Sequence, residues 1–256
     1  MMRKLSWVFL LLLVFWVSCE DPPKVQEPSA QPEVVVGSAE ELRGIAAKKI
    51  IWEKDGGRMV AIPASDTIKP FWMDATEVTL GQFKRFLKSS GYKPAEPINW
   101  DDVSEGSPSD KHPMIYVTWH DATAYTKWAG KRLPTEEEWE WAARGGLIDK
   151  GYSWGDAYRG SLARNYANYY GTGGEDIWKK AAPVGSFKPN EYGLFDVSGN
   201  VWEWCQDWYS SDQEDKVLRG GDWSDRIGTL RVGFRNNYAP ASGNAFYGFR
   251  CVADLP

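Results

Sequence analysis

The chain has 256 residues, a net charge of -5 and only two histidines, His112 and His120. No basic patch or stripe is visible, so a nucleic-acid surface is excluded as a working reading, and His-based catalysis has little to work with. Fifteen Trp, twelve Tyr and ten Phe beside 25 Gly and 15 Pro point to a loop-rich domain whose irregular backbone is pinned by aromatic anchors.

The first residues, Met1 to Lys4, are basic, and an apolar run from Leu5 to Val17 follows. That run is short for a membrane span and has the shape of a secretory signal over residues 1–18. It ends in Trp16-Val17-Ser18-Cys19, similar to the bacterial lipoprotein box except at Trp16, which makes Cys19 the expected lipidation site. Residues 19–48 turn to Pro, Glu, Gln, Ser and Val and read as a disordered tether, with a short helix over Glu40 to Lys49. The localisation that follows is an exported, lipid-anchored protein at the outer membrane or cell surface.

The folded domain is expected over residues 49–256. Met59 to Pro63 and Phe71 to Asp74 read as strands, and Thr79 caps a helix that buries Phe83, Phe86 and Leu87. Residues 93–112 are polar and Pro-rich and read as a loop. A second helix opens at Val117 to Ala122, runs through Tyr125 and Trp128, and closes at Gly130. His120 reads as a structural contact of that helix. In a third helix Thr135 and Glu138 form a capping box, with Trp139, Ala142 and Ala143 facing inward.

Gly193-Leu194-Phe195-Asp196-Val197-Ser198-Gly199-Asn200-Val201-Trp202-Glu203-Trp204 is the most unusual stretch. Its tryptophans favour burial, while Asp196 and Glu203 resist it unless neutralised. A hard cation held by carboxylate and carbonyl oxygens would reconcile the two, and so would a tight turn with both acids in water.

Asp74 to Thr79, Arg132 to Gly146, Tyr152 to Gly155, Pro183 to Phe187, Pro189-Asn190, Gly193 to Trp204, Arg219 to Trp223 and Gly248 to Cys251 together resemble one family. It is the formylglycine-generating-enzyme, or sulfatase-modifying-factor, domain, and the motifs run in family order over residues 50–256. The resemblance implies an α+β fold of the C-type lectin type with long ordered loops and little regular secondary structure. It also implies two structural calcium sites. Asn168, Tyr169, Asp176 and Trp178 match the first, and Asp196, Gly199, Val201 and Glu203 the second. The enzymes of this family oxidise a substrate cysteine with copper held by two cysteines. Here the matching segment, Asp222 to Leu230, contains none, so neither catalytic residues nor copper are expected. Cys205 and Cys251 flank that segment, and a disulfide between them is one expectation for an exported protein.

From Asp222 to Tyr247 the residue menu lacks Lys, Glu, Gln and Met. Codons ending in a pyrimidine encode that menu, apart from Trp223, which is what remains when Asn codons are randomised at their adenines. The stretch resembles the variable region of proteins diversified by retroelements on this same fold. In that reading Trp223, Arg231, Arg235 and Pro240 are scaffold. Asp222, Ser224, Asp225, Arg226, Phe234, Asn236, Asn237, Tyr238, Asn244, Phe246 and Tyr247, with Trp223 among them, make the contact surface. Three functions are weighed: a surface lipoprotein binding a protein or glycan ligand, a non-catalytic accessory subunit of an envelope assembly, and a cysteine oxidase. The menu favours the first, and the missing cysteines oppose the third.

Overall fold

The structure is a computed structural model that describes residues 33–156 and 162–256. The expected signal segment, Cys19 and most of the expected tether lie outside the described residues. Among the described residues two sheets and four α-helices form an α+β framework joined by long loops. The first sheet has the order β1-β2-β3-β4-β9. It contains β1 (Val34–Val36), β2 (Lys49–Trp52), β3 (Gly57–Ile62), β4 (Phe71–Asp74) and β9 (Val252–Asp254). Phe71 pairs with Asp254 and Met73 with Val252, so the last strand is stitched onto the start of the domain.

The expected tether boundary at residue 48 is corrected here. Val34 to Val36 pair in parallel with Ile50 to Trp52, and Val36 and Leu42 are buried against Ile50, Trp52 and Trp72. A run of three valines in a polar segment is too short to reveal this, but sheet pairing satisfies its backbone and makes burial possible. The expected helix over Glu40 to Lys49 is a single 3-10 turn, Ala39–Leu42, and Lys49 already belongs to β2.

Three of the four helices follow one local code. In α1 (Leu80–Ser90), α3 (Trp119–Ala129) and α4 (Glu136–Arg144) a threonine side chain accepts the N–H of the third helical residue, whose own side chain accepts the threonine N–H. Each ends at a glycine in the left-handed region: Gly91, Gly130 and Gly145. Phe83 and Phe86 of α1 meet Tyr125 of α3 with ring centres 6.0 and 5.5 Å apart, around Phe249. His120 is exposed, its ring edge-on to Trp119. The fourth helix, α2 (Trp100–Gly106), lies inside the segment expected as a loop. Asn99 caps it and Val103 is its buried apolar anchor, too little to register as an amphipathic pattern.

The second sheet, order β7-β6-β5-β8, carries the most unusual stretch of the sequence. It contains β5 (Trp202–Trp208), β6 (Lys216–Arg219), β7 (Asn236–Tyr238) and β8 (Tyr247–Gly248). Lys216 of β6 has its ammonium 4.2 Å from the Trp119 ring centre and 3.6 Å from that of Trp208.

Cys205 and Cys251 are free thiols, each fully buried, one in the core around Trp139 and Val217 and the other in the core around Phe83 and Phe249. This corrects the expected disulfide: the two residues point into separate apolar clusters. Burial pushes both thiols well above the usual range, so they are inert. Alkylation of the denatured, unreduced protein is expected to label both. Labelling that required prior reduction would overturn this assignment.

Candidate ligand surface and cation sites

The stretch 222–247 leaves the second sheet, forms a 3-10 turn at Ile227–Leu230, returns as β7 and re-enters at β8. What holds it is two arginines on one acidic helix, Arg219 buried and Arg235 at the surface. Arg219, at the end of β6, donates to Glu136 Oε1 (2.6 Å) and Glu140 Oε2 (2.7 Å) of α4. Arg235 grips the same Glu136 through Nε (2.6 Å) and Nη2 (2.8 Å), and its guanidinium lies 4.4 Å from the Tyr209 ring centre. Two parallel donors on one carboxylate fix orientation as well as distance. Beside this clamp lies a cleft of about 750 Å³ lined by Glu136, Glu140, Trp141, Arg219, Gly233 and Arg235 among others.

The candidate contact residues divide into three groups. Ser224, Arg226, Phe234 and Tyr238 are exposed, Phe234 by 42% and Tyr238 by 46%. Trp223, Asp225, Asn236, Asn237, Asn244 and Phe246 are half-buried. The rings pack in pairs: Trp223 on Phe246 (5.1 Å), Trp202 on Phe234 (6.1 Å) and Tyr238 on Tyr247 (5.2 Å). Asn237 donates to Asp215, and the Asn244 side chain accepts the N–H of Phe246 (2.8 Å). Asp222 and Tyr247 belong to the scaffold, each only 5% exposed. Tyr247 pairs with Trp202 and packs edge-on to Trp204, so a ligand could not reach it from outside.

Asp222 Oδ1 accepts the Ser224 N–H (2.6 Å) and hydroxyl (2.7 Å), and Asp225 Oδ2 accepts the Asp222 N–H (3.1 Å). Burial, then repulsion from Asp225, pushes the Asp222 carboxyl up to about 6. A folded-state pKa raised above the unfolded value of 3.8 means the fold prefers the protonated acid. That stabilisation is complete below the unfolded pKa and is lost as pH rises through about 6. Asp222→Asn keeps the Oδ1 acceptor and removes the titration. It is therefore expected to flatten the decline in stability between pH 4 and pH 7 by about 1–2 kcal/mol. Urea unfolding of both proteins at the two pH values reads this, and parallel profiles would refute it.

The second expected cation set sits under β5. Asp196 and Asn200 adopt left-handed backbone (φ 57° and 68°), as does Gly199 (φ 80°). At Gly199 a Cβ would lie 2.1 Å from the Asn168 carbonyl oxygen, so only glycine lets the two loops meet. Glu203 is occupied: Arg250 donates to Oε1 through Nη2 (2.7 Å) and to Oε2 through Nε (2.7 Å), and the Trp139 indole donates to Oε2 (2.6 Å). Asp196 Oδ2 accepts the Gly185 N–H (2.6 Å) while its Oδ1 is buried without a partner. Glu77 supplies a second such atom: Asn200 Nδ2 donates to Oε1 (2.9 Å), and Oε2 has no partner. Burial and the neighbouring Asp196 push Glu77 well above the carboxylate range, and burial lifts Asp196 to about 6.

Three buried carboxyl groups beside one arginine, two of them with an orphaned oxygen, fit a hard cation in charge and in donor chemistry. Among the described residues no three acidic, His or Cys side chains converge to hold a metal by themselves, so the Gly199 and Val201 carbonyls would have to complete the shell. Glu77 was absent from the sequence-based set. It lies in the Asp74 to Thr79 motif, and the link to Asp196 is visible only in three dimensions.

In the first expected set Asn168 and Asp176 are buried, and the Asn168 amide donates to Lys180 O (2.8 Å) and Asn200 Oδ1 (3.2 Å). The Tyr169 carbonyl and Asp176 Oδ2 both accept from Arg164, and the Trp178 N–H donates to Asp176 Oδ1 (3.3 Å). A positive charge of the chain itself therefore already touches this set, and the residues do not fit a metal ion as they stand. Arg164 was likewise absent from the sequence-based set, and no spacing rule would have found it.

Residues 21–255 match the model of the sulfatase-modifying factor enzyme 1-like domain. The formylglycine-generating enzyme of Streptomyces coelicolor is 35% identical over 249 residues, covering 73% of this chain and 79% of that enzyme. A mouse protein named inactive C-alpha-formylglycine-generating enzyme 2 is 32% identical over 293 residues, covering 95% of this chain and 92% of its own. Among solved structures, Treponema denticola variable protein 1 shares the fold with a TM-score of 0.61 at 23% identity, over 81% of this chain and 99% of that one. The relatives thus include proteins named as formylglycine-generating enzymes and one named as inactive, and the scaffold is an α+β, C-type lectin-like fold. By the match over residues 21–255 and these identities, the chain belongs to the sulfatase-modifying factor enzyme 1-like domain family.

Proposed function

We propose that the chain is a non-catalytic, surface-displayed lipoprotein whose diversified C-terminal loops bind a protein or glycan ligand on a lectin-like scaffold. The observation that carries this reading is a coincidence between sequence and position. The stretch with the pyrimidine-codon menu, 222–247, is also where Ser224, Arg226, Phe234 and Tyr238 stand exposed, on a segment clamped to α4. Aromatic anchors among adaptable polar groups suit recognition, and a rigid support lowers the entropy cost of binding. Oxidase chemistry is set aside because the segment 222–230 contains no cysteine and both domain cysteines are buried, inert thiols. Export and lipidation at Cys19 rest on the first nineteen residues. Calcium at the Asp196, Gly199, Val201 and Glu203 set, with Glu77 added, would neutralise the orphaned carboxylates; its role is structural.

Sequencing the 3′ end of this gene across sibling isolates tests the reading. Substitutions confined to codons 222–247, sparing Trp223 and the flanking Gly220-Gly221 and Gly248-Phe249-Arg250, would support it. An invariant window would overturn it in favour of a fixed partner in an envelope assembly. A diversified surface must also be cheap to change. Replacing Ser224, Arg226, Phe234 or Tyr238 by alanine is expected to cost less than about 1 kcal/mol each, whereas Tyr247→Ala costs about 3–4 kcal/mol. Thermal melts of the five variants would measure this, and equal losses would count against the division.

A further inference from the structure

We propose that Arg164 is the built-in cation of the 164–178 loop, occupying the place that a metal ion would take among Tyr169, Asp176 and their neighbours. Arg164 Nη1 donates to the carbonyls of Tyr169 (3.1 Å) and Gly171 (3.0 Å) and to Asp176 Oδ2, and Nη2 donates to the Tyr170 carbonyl (2.6 Å). One guanidinium thus gathers the carbonyls of three consecutive residues, 169–171, and a fully buried carboxylate, the oxygen set that a hard cation would otherwise collect. Its plane also lies 3.8 Å from the Tyr169 ring centre, a contact a bare ion would not make.

The charge balance is complete without a metal. Asp176 is the single carboxylate of the set, Arg164 pairs with its Oδ2, and the Tyr169 and Trp178 N–H groups donate to Oδ2 (3.4 Å) and Oδ1 (3.3 Å). A divalent ion added here would place three positive charges against one negative charge in a buried site. The polar atom left over is Asn168 Oδ1, which is buried without a partner. The arginine also explains the backbone. Gly171 and Gly173 have φ of 91° and 148°, and a Cβ at Gly171 would come within 3.0 Å of Arg164 Nη2. The loop is wrapped around the guanidinium, and glycine is what allows the close wrap.

The loop supports the candidate ligand surface, since the Tyr170 N–H donates to the Asp225 carbonyl (2.9 Å). Holding it with a side chain rather than a dissociable ion makes that support independent of calcium. The inference does not depend on what the surface binds.

Limited proteolysis of the full chain in detergent, with cleavage mapped by mass spectrometry, reads the loop directly. In the wild type, cleavage within 164–178 is expected to proceed at the same rate in EGTA and in millimolar calcium. Arg164→Ala is expected to raise that rate about tenfold, because three carbonyls and a carboxylate lose their donor together. Arg164→Lys should fall between the two, since one ammonium cannot span the same acceptors. The proposal is overturned if calcium slows cleavage of the wild-type loop and Asp176→Asn abolishes that effect. It is equally overturned if Arg164→Ala is cut at the wild-type rate. Should Arg164→Ala fail to fold, the wild-type and Asp176→Asn comparison alone decides.

Discussion

Replacing Arg250 with alanine is expected to unfold the domain. Its guanidinium is fully buried and ends on Glu203, on the carbonyls of Asp74 (3.2 Å) and Ala75 (3.3 Å), and on Phe195 O (2.8 Å). It therefore ties β4, β5 and the Gly193 to Trp204 loop at one point. Burial opposes its charge, but Glu203, Glu77 and Asp196 outweigh that cost and hold its pKa above the usual arginine range. Without it, Glu203 loses its ion pair, and Glu77 and Asp196 lose the one positive side chain beside them. Breaking a buried pair by removing one partner costs about 3–5 kcal/mol, and the extra orphaned carbonyls add to it. That is a large share of the stability of a typical domain. Urea unfolding would show Arg250→Ala with little or no native baseline. Arg250→Lys, which keeps the charge but loses the two-pronged grip on Glu203, should stay folded with a lowered midpoint. A melting temperature of Arg250→Ala within a few degrees of wild type would refute the role.

The second large effect is expected at Lys131, which lies between two buried acids. Its ammonium is 2.8 Å from Asp55 Oδ2 and 2.7 Å from Asp74 Oδ1, with all three side chains almost wholly buried. Tyr125 donates to the same Asp55 oxygen (2.9 Å), and Cys251 N–H donates to Asp74 Oδ2 (3.0 Å). Burial works against the lysine charge, yet Asp74 and Asp55 overcome it and raise the pKa above the usual lysine range. Lys131→Met leaves two carboxylates in the core with no cation and is expected to cost about 3–5 kcal/mol. The triple change Lys131→Met, Asp55→Asn, Asp74→Asn should recover most of that loss, because a neutral replacement removes the desolvation cost along with the pairing. Denaturant midpoints of the single and triple variants test this. A triple variant no more stable than the single one would show that packing, rather than charge, governs the site.

What the sequence by itself determined is local. Thr79 as a cap, the run from Val117 to Ala122, and Thr135 with Glu138 as a capping box marked three helix starts, and Gly91, Gly130 and Gly145 end those helices through interactions within a few residues. The strands at Gly57–Ile62 and Phe71–Asp74, the missing cysteines and the altered residue menu were legible for the same reason, since each is a property of contiguous residues. The ordered family motifs carried the α+β, lectin-like fold with them.

The tertiary structure decided whatever depends on long-range convergence. Val34 to Val36 look like tether until Ile50 to Trp52 offer an edge to pair with. Cys205 and Cys251 seem a plausible pair until the fold sends them into separate cores. Tyr247 reads as a contact residue until Trp204 covers it. At the cation sites the difference is sharpest. Oxygen-bearing side chains can be found by type, but the charge that satisfies them can come from any part of the chain. Arg250 reaches Glu203 across 47 positions and Arg164 reaches Asp176 across 12. Sequence motifs identify which groups need a counter-charge, and only the folded chain brings in the group that supplies it.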